Sequence, residues 1–332
     1  MKTKILPFDS EMIPDAGKLL AQRHHRDRLS LPLLPSRFED PQVAAKAIEI
    51  LWKEKLRIGY AAYCNGRMTA YLIGKTDTNP WGRSGYVYLP GYAVEEGENP
   101  RILQDLYSLL GESWVKKGCF QHYLYVSAGD PSVINALFDV GFGKERVDAL
   151  LDLRSLSIPE QSEPSGVTIR RAGTGDNERL GSFSNIIFRA LSKAPYWHPT
   201  VPEDWDDLHE GWSELADEKE WTIWLAQENE QALSMIGFRP EEEKDTHLLA
   251  SPRTIYLSVA ATKPEARGRG LNTYLTWYGL NQAQKDGYEI CYTNWISPNF
   301  LASRFWPRFG FQDVAYRISK QVNPMIAWAK DE

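Results

Sequence analysis

The segment Pro264-Glu265-Ala266-Arg267-Gly268-Arg269-Gly270-Leu271 carries the strongest chemical signal in the sequence. Gly268 and Gly270 let backbone N–H groups approach a ligand without Cβ obstruction, and a helix opening at Leu271 adds partial positive charge at its amino end. Arg267 and Arg269 add charge-assisted donors worth roughly 1.5–3 kcal/mol each when partly desolvated. A pyrophosphate is the natural guest of such a loop. The pattern is neither the G-x-G-x-x-G of dinucleotide folds nor the Gly-Lys-Ser/Thr of a Walker loop. On the loop alone, an ordinary glycine-rich turn with solvated arginines is an equal alternative.

Other reactive residue types give less. Cys64, Cys119 and Cys291 are an odd number without paired spacing, which fits free thiols in a reducing compartment. No His stands at a nucleophile spacing from Cys291, so that residue reads as core. The run Arg23-His24-His25-Arg26-Asp27-Arg28 reads as a solvated helix face, because adjacent histidines point in different directions on a helix and cannot share a metal.

Elements that would hold the loop can be read on both sides of it. Residues 254–262 are a β-rich run, and Leu271, Tyr274, Leu275 and Tyr278 follow at the spacing of one helix face. Gly287 ends that helix, residues 289–295 form a strand, and Ser297-Pro298 opens a short helix as cap and first residue. An offset of 169 aligns Gly118 with Gly287, Tyr123 with Tyr292, and Gly141-Phe142 with Gly310-Phe311. The first copy has a strand at 86–89, a helix marked by Leu103, Leu106, Leu110 and Trp114, a strand at 122–126 and a helix opened by Asp130-Pro131. Upstream of each unit lie two strands joined by a turn: 58–64 and 68–74 about Asn65-Gly66, then 222–227 and 232–238 about Glu228-Asn229. Residues 154–166 are polar, contain two prolines and lack periodicity, so they read as a linker. The expectation is an α/β (α+β) chain of two tandem domains, 1–153 and 167–332. Each is a mixed, mostly antiparallel sheet flanked by helices.

Composition sets limits on function. The chain has 332 residues and a formal charge of −6, with 25% charged and 42% apolar residues. Disorder and disulfide scaffolds are excluded, and no overall positive field exists to attract nucleic acid. No run approaches 18 apolar residues, and the opening residues lack an apolar signal core, so the expectation is a cytoplasmic protein that does not engage membrane.

With Arg267 and Gly270 in place after Lys263-Pro264, and with Asn299, Ala302 and Gly310-Phe311 in order downstream, the sequence resembles the GNAT acetyltransferase superfamily. The match is specific over residues 254–311, and with the repeat the whole chain resembles tandem GNAT proteins of the mycothiol-synthase type. The resemblance implies an acetyl-CoA-dependent N-acetyltransferase, with acetyl-CoA as cosubstrate, no metal, and a small-molecule or peptide amine as acceptor. The backbone amides of Ala260, Ala261 and Thr262 would pair with the pantetheine arm and stabilise the oxyanion at the thioester. Arg267, Gly268, Arg269, Gly270, Leu271 and Asn272 would wrap the pyrophosphate, and Asn299 would bond the pantetheine or the thiol end.

Two positions depart from the family. Asn272 stands where Gly or Ala is usual. Trp306 stands seven residues after Asn299, where the family has a Tyr that protonates the leaving thiolate, and an indole N–H has no accessible pKa for that work. Tyr292, Tyr274 and Tyr278 are substitutes for it, although each also reads as a packed aromatic. For the base, Glu289 is preferred to Glu265, with a base acting through water as the third option. At the loop position of the first copy the sequence reads Glu95-Glu96-Gly97-Glu98-Asn99-Pro100, so carboxylates would face the pyrophosphate and Pro100 lacks a donor. That half is therefore expected not to bind CoA. Helical residues 203–220 carry Trp205, Leu208, Trp212 and Leu215 on one face and an acidic cluster on the other, either a wall of the acceptor pocket favouring a cationic amine or a solvated face. Two further readings are kept open. One is a non-catalytic CoA-binding or regulatory module; the other is an aminoacyl-tRNA-dependent transferase, which the acidic charge disfavours.

Overall fold

Alternating apolar residues between turn signals fold into strands, and the helices arise where the period lengthens to that of a helix face. The computed structural model describes residues 3–79, 82–160, 162–198 and 200–329. Met1 and Lys2 of the opening segment and Gln161 of the polar segment lie outside them. In chain order the elements begin β1 (Lys4–Pro7), α1 (Ile13–Ser30), α2 (Pro41–Lys53), β2 (Arg57–Cys64), β3 (Arg67–Asn79), β4 (Gly82–Val87) and β5 (Tyr92–Val94). They continue with α3 (Ile102–Val115), β6 (Gln121–Ser127), α4 (Pro131–Phe138), β7 (Gly143–Asp152), β8 (Thr168–Arg171), α5 (Asn177–Gly181), α6 (Ser184–Leu191) and α7 (Trp205–Glu214). The last are β9 (Thr222–Glu228), β10 (Gln231–Pro240), β11 (Thr254–Thr262), α8 (Leu271–Lys285), β12 (Ile290–Ile296), α9 (Phe300–Ser303) and β13 (Gln312–Gln321).

Two compact units result. Unit 1 takes residues 1–148, 243–251 and 313–332; unit 2 takes 149–242 and 252–312. In unit 1 the strand order is β1-β2-β3-β4-β6-β13, with β5 on β3. Neighbours are antiparallel except β4 and β6, which run parallel with Tyr86 opposite Tyr123. In unit 2 the order is β12-β11-β10-β9-β8, antiparallel except for parallel β11 and β12. Each unit thus has a mixed, mostly antiparallel sheet with one helix-linked parallel pair, as a strand-helix-strand crossover requires.

Local chemistry explains the boundaries. Asn65 and Gly66 take positive φ (53° and 77°), the two left-handed positions of a tight hairpin turn. In the β9–β10 hairpin the turn residues are Asn229 and Glu230 (φ 48° and 65°), one position later than Glu228-Asn229, because Glu228 stays in the ladder opposite Gln231. β3 extends five residues past Gly74, since polar Thr76, Asp77 and Thr78 pair with β4 although no apolar alternation marks them. The helix expected at Ser297-Pro298 is capped instead by Asn299, whose side chain accepts from the Ala302 N–H.

The run at Arg23 is not a solvated face. Arg23, His24 and Asp27 are buried at 2%, 1% and 3% exposure. Arg23 donates to the carbonyls of Leu89 (2.9 Å) and Tyr92 (2.5 Å), Asp27 lies 3.3 Å from its guanidinium, and His24 bonds the Pro35 carbonyl at 2.7 Å. Backbone acceptors more than sixty positions away in sequence satisfy the arginine, which periodicity cannot foresee.

In unit 2, Leu180, Phe183, Ile223, Leu225, Met235 and Ala261 form a core against which Trp212 and Leu215 pack. α8 packs on β9, β10 and β11, with Tyr278 edge-on to Trp224 at 4.9 Å. That packing sets the direction from which the amino end of α8 meets the end of β11.

Candidate active site

β11 and β12 pair from Thr254–Ile290 to Leu257–Thr293 and then part, although β11 continues to Thr262 and β12 to Ile296. The other edge of β11 stays bonded to β10 up to Ser234–Thr262. Backbone groups of 258–262 on the β12 side therefore have no strand partner among the described residues. Thr293 Oγ1 donates to the Leu257 carbonyl (2.9 Å) at the last paired step, closing the fork at its base.

Beyond Thr262 the chain turns through the glycine loop. Gly268 and Gly270 have φ of 80° and 75°, left-handed values that a side chain would strain, and a Cβ on either would meet nothing within 4 Å. Gly270 caps α8 without a side-chain acceptor, leaving the first N–H groups of the helix for a guest. The Arg267 guanidinium has no carboxylate within 4 Å among the described residues. Asn272 is accommodated because its amide reaches Thr262 Oγ1 at 3.4 Å, which in turn bonds Ser234 Oγ at 2.8 Å.

These pieces enclose a cavity of about 460 Å³ lined by Ala260, Ala261, Thr262, Arg267, Gly268, Gly270, Leu271, Asn272 and Asn299. Ile186, Ile187 and Ala190 of α6 close one side, and Ala302, Phe305 and Trp306 another. Trp306 is buried in an aromatic cluster, with Phe305 at 4.9 Å and Phe311 at 6.1 Å, so it serves as wall. A second cavity, of about 670 Å³, shares Ile186, Ala190, Arg267, Asn299 and Leu301 with the first and adds Arg189, Lys193, Tyr196, Lys263 and Glu265.

Three of the expected residues are not brought to this place. Arg269 turns away to a two-point contact with Glu228 (2.8 and 3.2 Å), which lowers the Glu228 pKa. Glu289 is a correction: it precedes β12 at the end opposite the fork, ion-paired with Arg253, its N–H donating to the Arg253 carbonyl. Because β11 and β12 are parallel, the residue that opens β12 lies beside the start of β11, while the loop lies at its end. Tyr292 is buried in register with Tyr256, ring centres 5.0 Å apart, and lines neither cavity. Tyr274 stacks along α8 on Tyr278. Cys291 is fully buried, and burial pushes its thiol pKa up. Glu265 is the one carboxylate lining either cavity among the described residues. Sequence reading missed Arg189 and Lys193, because no motif joins them to the loop, and it took Lys263 only as the residue that leads into the loop. The acidic residues Glu203, Asp206, Asp207 and Glu210 are exposed and line neither cavity.

The corresponding loop of unit 1 differs. Gly97 also has positive φ (81°), but Glu95 is ion-paired with Arg67 at 2.9 Å and Arg101 caps α3.

Residues 187–311 match the acetyltransferase (GNAT) family. The structure resembles a GCN5-related N-acetyltransferase from Sphaerobacter thermophilus, 16% identical, with TM-score 0.59 over 97% of this chain and 96% of that one. It also resembles a tandem GNAT protein from the clavulanic acid biosynthesis pathway, 14% identical, TM-score 0.53, covering 97% and 99%. A third likeness is to the glucosamine N-acetyltransferase region of a fungal multi-domain β-N-acetylglucosaminidase: 14% identical, TM-score 0.59, covering 96% of this chain and 38% of that one. At these identities the likeness is one of fold. No curated protein matches the sequence.

Proposed function

We propose, from the premise that residues 187–311 are a GNAT acetyltransferase domain in a tandem GNAT arrangement, that the protein is an acetyl-CoA-dependent N-acetyltransferase. It would have a single active site in the half 167–332 and acetylate an amine of a small molecule or peptide. The observation that carries this reading is the fork between β11 and β12 running directly into a left-handed glycine loop beside Arg267. The residues fit an extended thioester ligand: free strand edge for an amide-bearing arm, open space over Gly268 and Gly270, and uncapped helix N–H groups for a pyrophosphate. Acetyl-CoA would supply the activated acyl carbon.

The chain's own residues would then orient and deprotonate. Amides at 260–262 would hold the carbonyl oxygen, and the amine would attack the carbonyl carbon directly, forming the C–N bond as the C–S bond breaks. The proton released by the amine would pass to Glu265 or water. The thiolate would take its proton from solvent, since Trp306 supplies none. The three cysteines are free, consistent with a cytoplasmic protein, and no described helix is long and apolar enough to cross a membrane.

Calorimetric titration of acetyl-CoA, beside Gly270→Glu and Glu98→Ala, tests the reading. Binding lost only in Gly270→Glu, with amine-dependent thiol release, is expected. Trp306 gives the second reading its footing: tight binding with no thiol release across an amine panel would select a CoA-binding regulatory module.

A further inference from the structure

We propose that the 670 Å³ cavity binds an oxyanion of the acceptor, so that the acetylated amine also carries a carboxylate or a phosphate. This rests on the acyl-transfer reading above. Four cations line the cavity: Arg189 and Lys193 from α6 and the turn after it, Lys263 following β11, and Arg267 of the loop, which also lines the donor cavity, so that three are left to the acceptor when the donor is bound. None has a carboxylate within 4 Å among the described residues. Elsewhere in the same unit Arg170, Arg179, Arg253 and Arg269 are ion-paired, Arg239 and Arg304 lie over aromatic rings, and Arg171 donates to Thr222 Oγ1. In a chain of net charge −6, carboxylates are plentiful, yet one lines this cavity against four cations. Like charges gathered about a concavity repel one another and are relieved by an anionic occupant.

Part of the cluster is held in place beforehand. The Lys263 backbone N–H bonds the Leu233 carbonyl at 2.9 Å, and its ammonium lies 5.5 Å from the centre of the Phe183 ring. Arg189 lies in the last turn of α6, and Lys193 follows two residues after its end, where its N–H bonds the Ala190 carbonyl at 3.3 Å. Glu265 supplies an acceptor for the substrate's ammonium in the same wall. Arg267 and Asn299 belong to both cavities, so an acceptor anchored by its anion in one would present its amine towards the other. The purely cationic acceptor suggested by residues 203–220 has no support in this geometry.

The test is calorimetry on the full chain with matched pairs: phosphoethanolamine against ethanolamine, and β-alanine against propylamine. The anionic member of each pair is expected to bind at least about tenfold more tightly, less so as salt is raised. The double variant Arg189→Ala/Lys193→Ala should lose that preference while its circular dichroism and acetyl-CoA affinity stay unchanged. Equal affinity within the pairs, or no binding by any member, would overturn the proposal. So would a double variant that weakens acetyl-CoA but not dephospho-acetyl-CoA, which would give the cations to the donor's own phosphate. Thiol release is read separately: anion preference without release overturns the transfer reading alone, and release without preference overturns only the proposal made here.

Discussion

Arg267 and Gly270 divide the work of the loop. If the loop holds the donor's pyrophosphate as proposed, Arg267→Ala would remove a charge-assisted contact worth roughly 1.5–3 kcal/mol, so acetyl-CoA should bind about 10- to 150-fold more weakly with little change in melting temperature. A second effect at this scale concerns pH. Burial, helped by Arg23 and Arg28, pushes the pKa of His24 down to about 4, and burial does the same to His122. His122 bonds the Tyr107 hydroxyl (2.7 Å) and the Cys119 carbonyl (3.0 Å), a pattern suited to neutral imidazole. With folded pKa values below the unfolded 6.5, both favour folding above that pH, and their contribution is lost as pH falls from about 6.5 to about 4. Denaturant titrations of unit 1 fluorescence at pH 7 and pH 5 should show the drop, and His122→Gln should flatten it. These single-residue facts were mostly illegible in the sequence. Glycines and an arginine in a loop announce themselves, whereas a histidine's burial depends on which distant carbonyl meets it.

The fork is a property of two strands rather than of any residue. Amides at 258–262 on the β12 side should exchange quickly in the free protein and slow at least about tenfold when acetyl-CoA is added, as read by hydrogen exchange. Unchanged exchange on addition of saturating ligand would refute that use of the strand edge. The helix behind the loop makes a second prediction. A Cβ on Gly279 would lie 2.4 Å from the Phe238 ring, so Gly279→Ala must push α8 off β10 at a cost of about 1–3 kcal/mol, visible as a lower melting temperature. Adding Phe238→Leu should recover much of it. Elements were the most legible scale: Leu271, Leu275 and the run 254–262 gave α8 and β11 with the observed ends. What failed was direction. Glu289 opens a strand correctly, but only the parallel pairing with β11 tells which end of that strand holds the loop.

At the scale of the whole chain, the two loops predict one donor site. Sedimentation-checked calorimetry should give one acetyl-CoA per chain, and a variant with Glu95, Glu96 and Glu98 all replaced by Gln should not gain a second site, because Pro100 still lacks a donor. Two per chain in the native protein would refute the assignment. The repeat at an offset of 169 was visible in the sequence through Gly118, Tyr123 and Gly141-Phe142. That residues 313–332 are counted with unit 1 was not, because strand choice is decided by pairing across the fold and leaves no local mark. The pairing of Gln121 with Gln321 has a temporal side. A ribosome extrudes β6 about 200 residues before the strand that completes its edge. Throughout that interval the nascent sheet offers a bare row of amides and carbonyls to any extended peptide nearby. Holdase chaperones should therefore be found on stalled chains that stop short of residue 312 and should be gone from those that have passed 321, and ribosome-bound intermediates captured at the two lengths would reveal the difference.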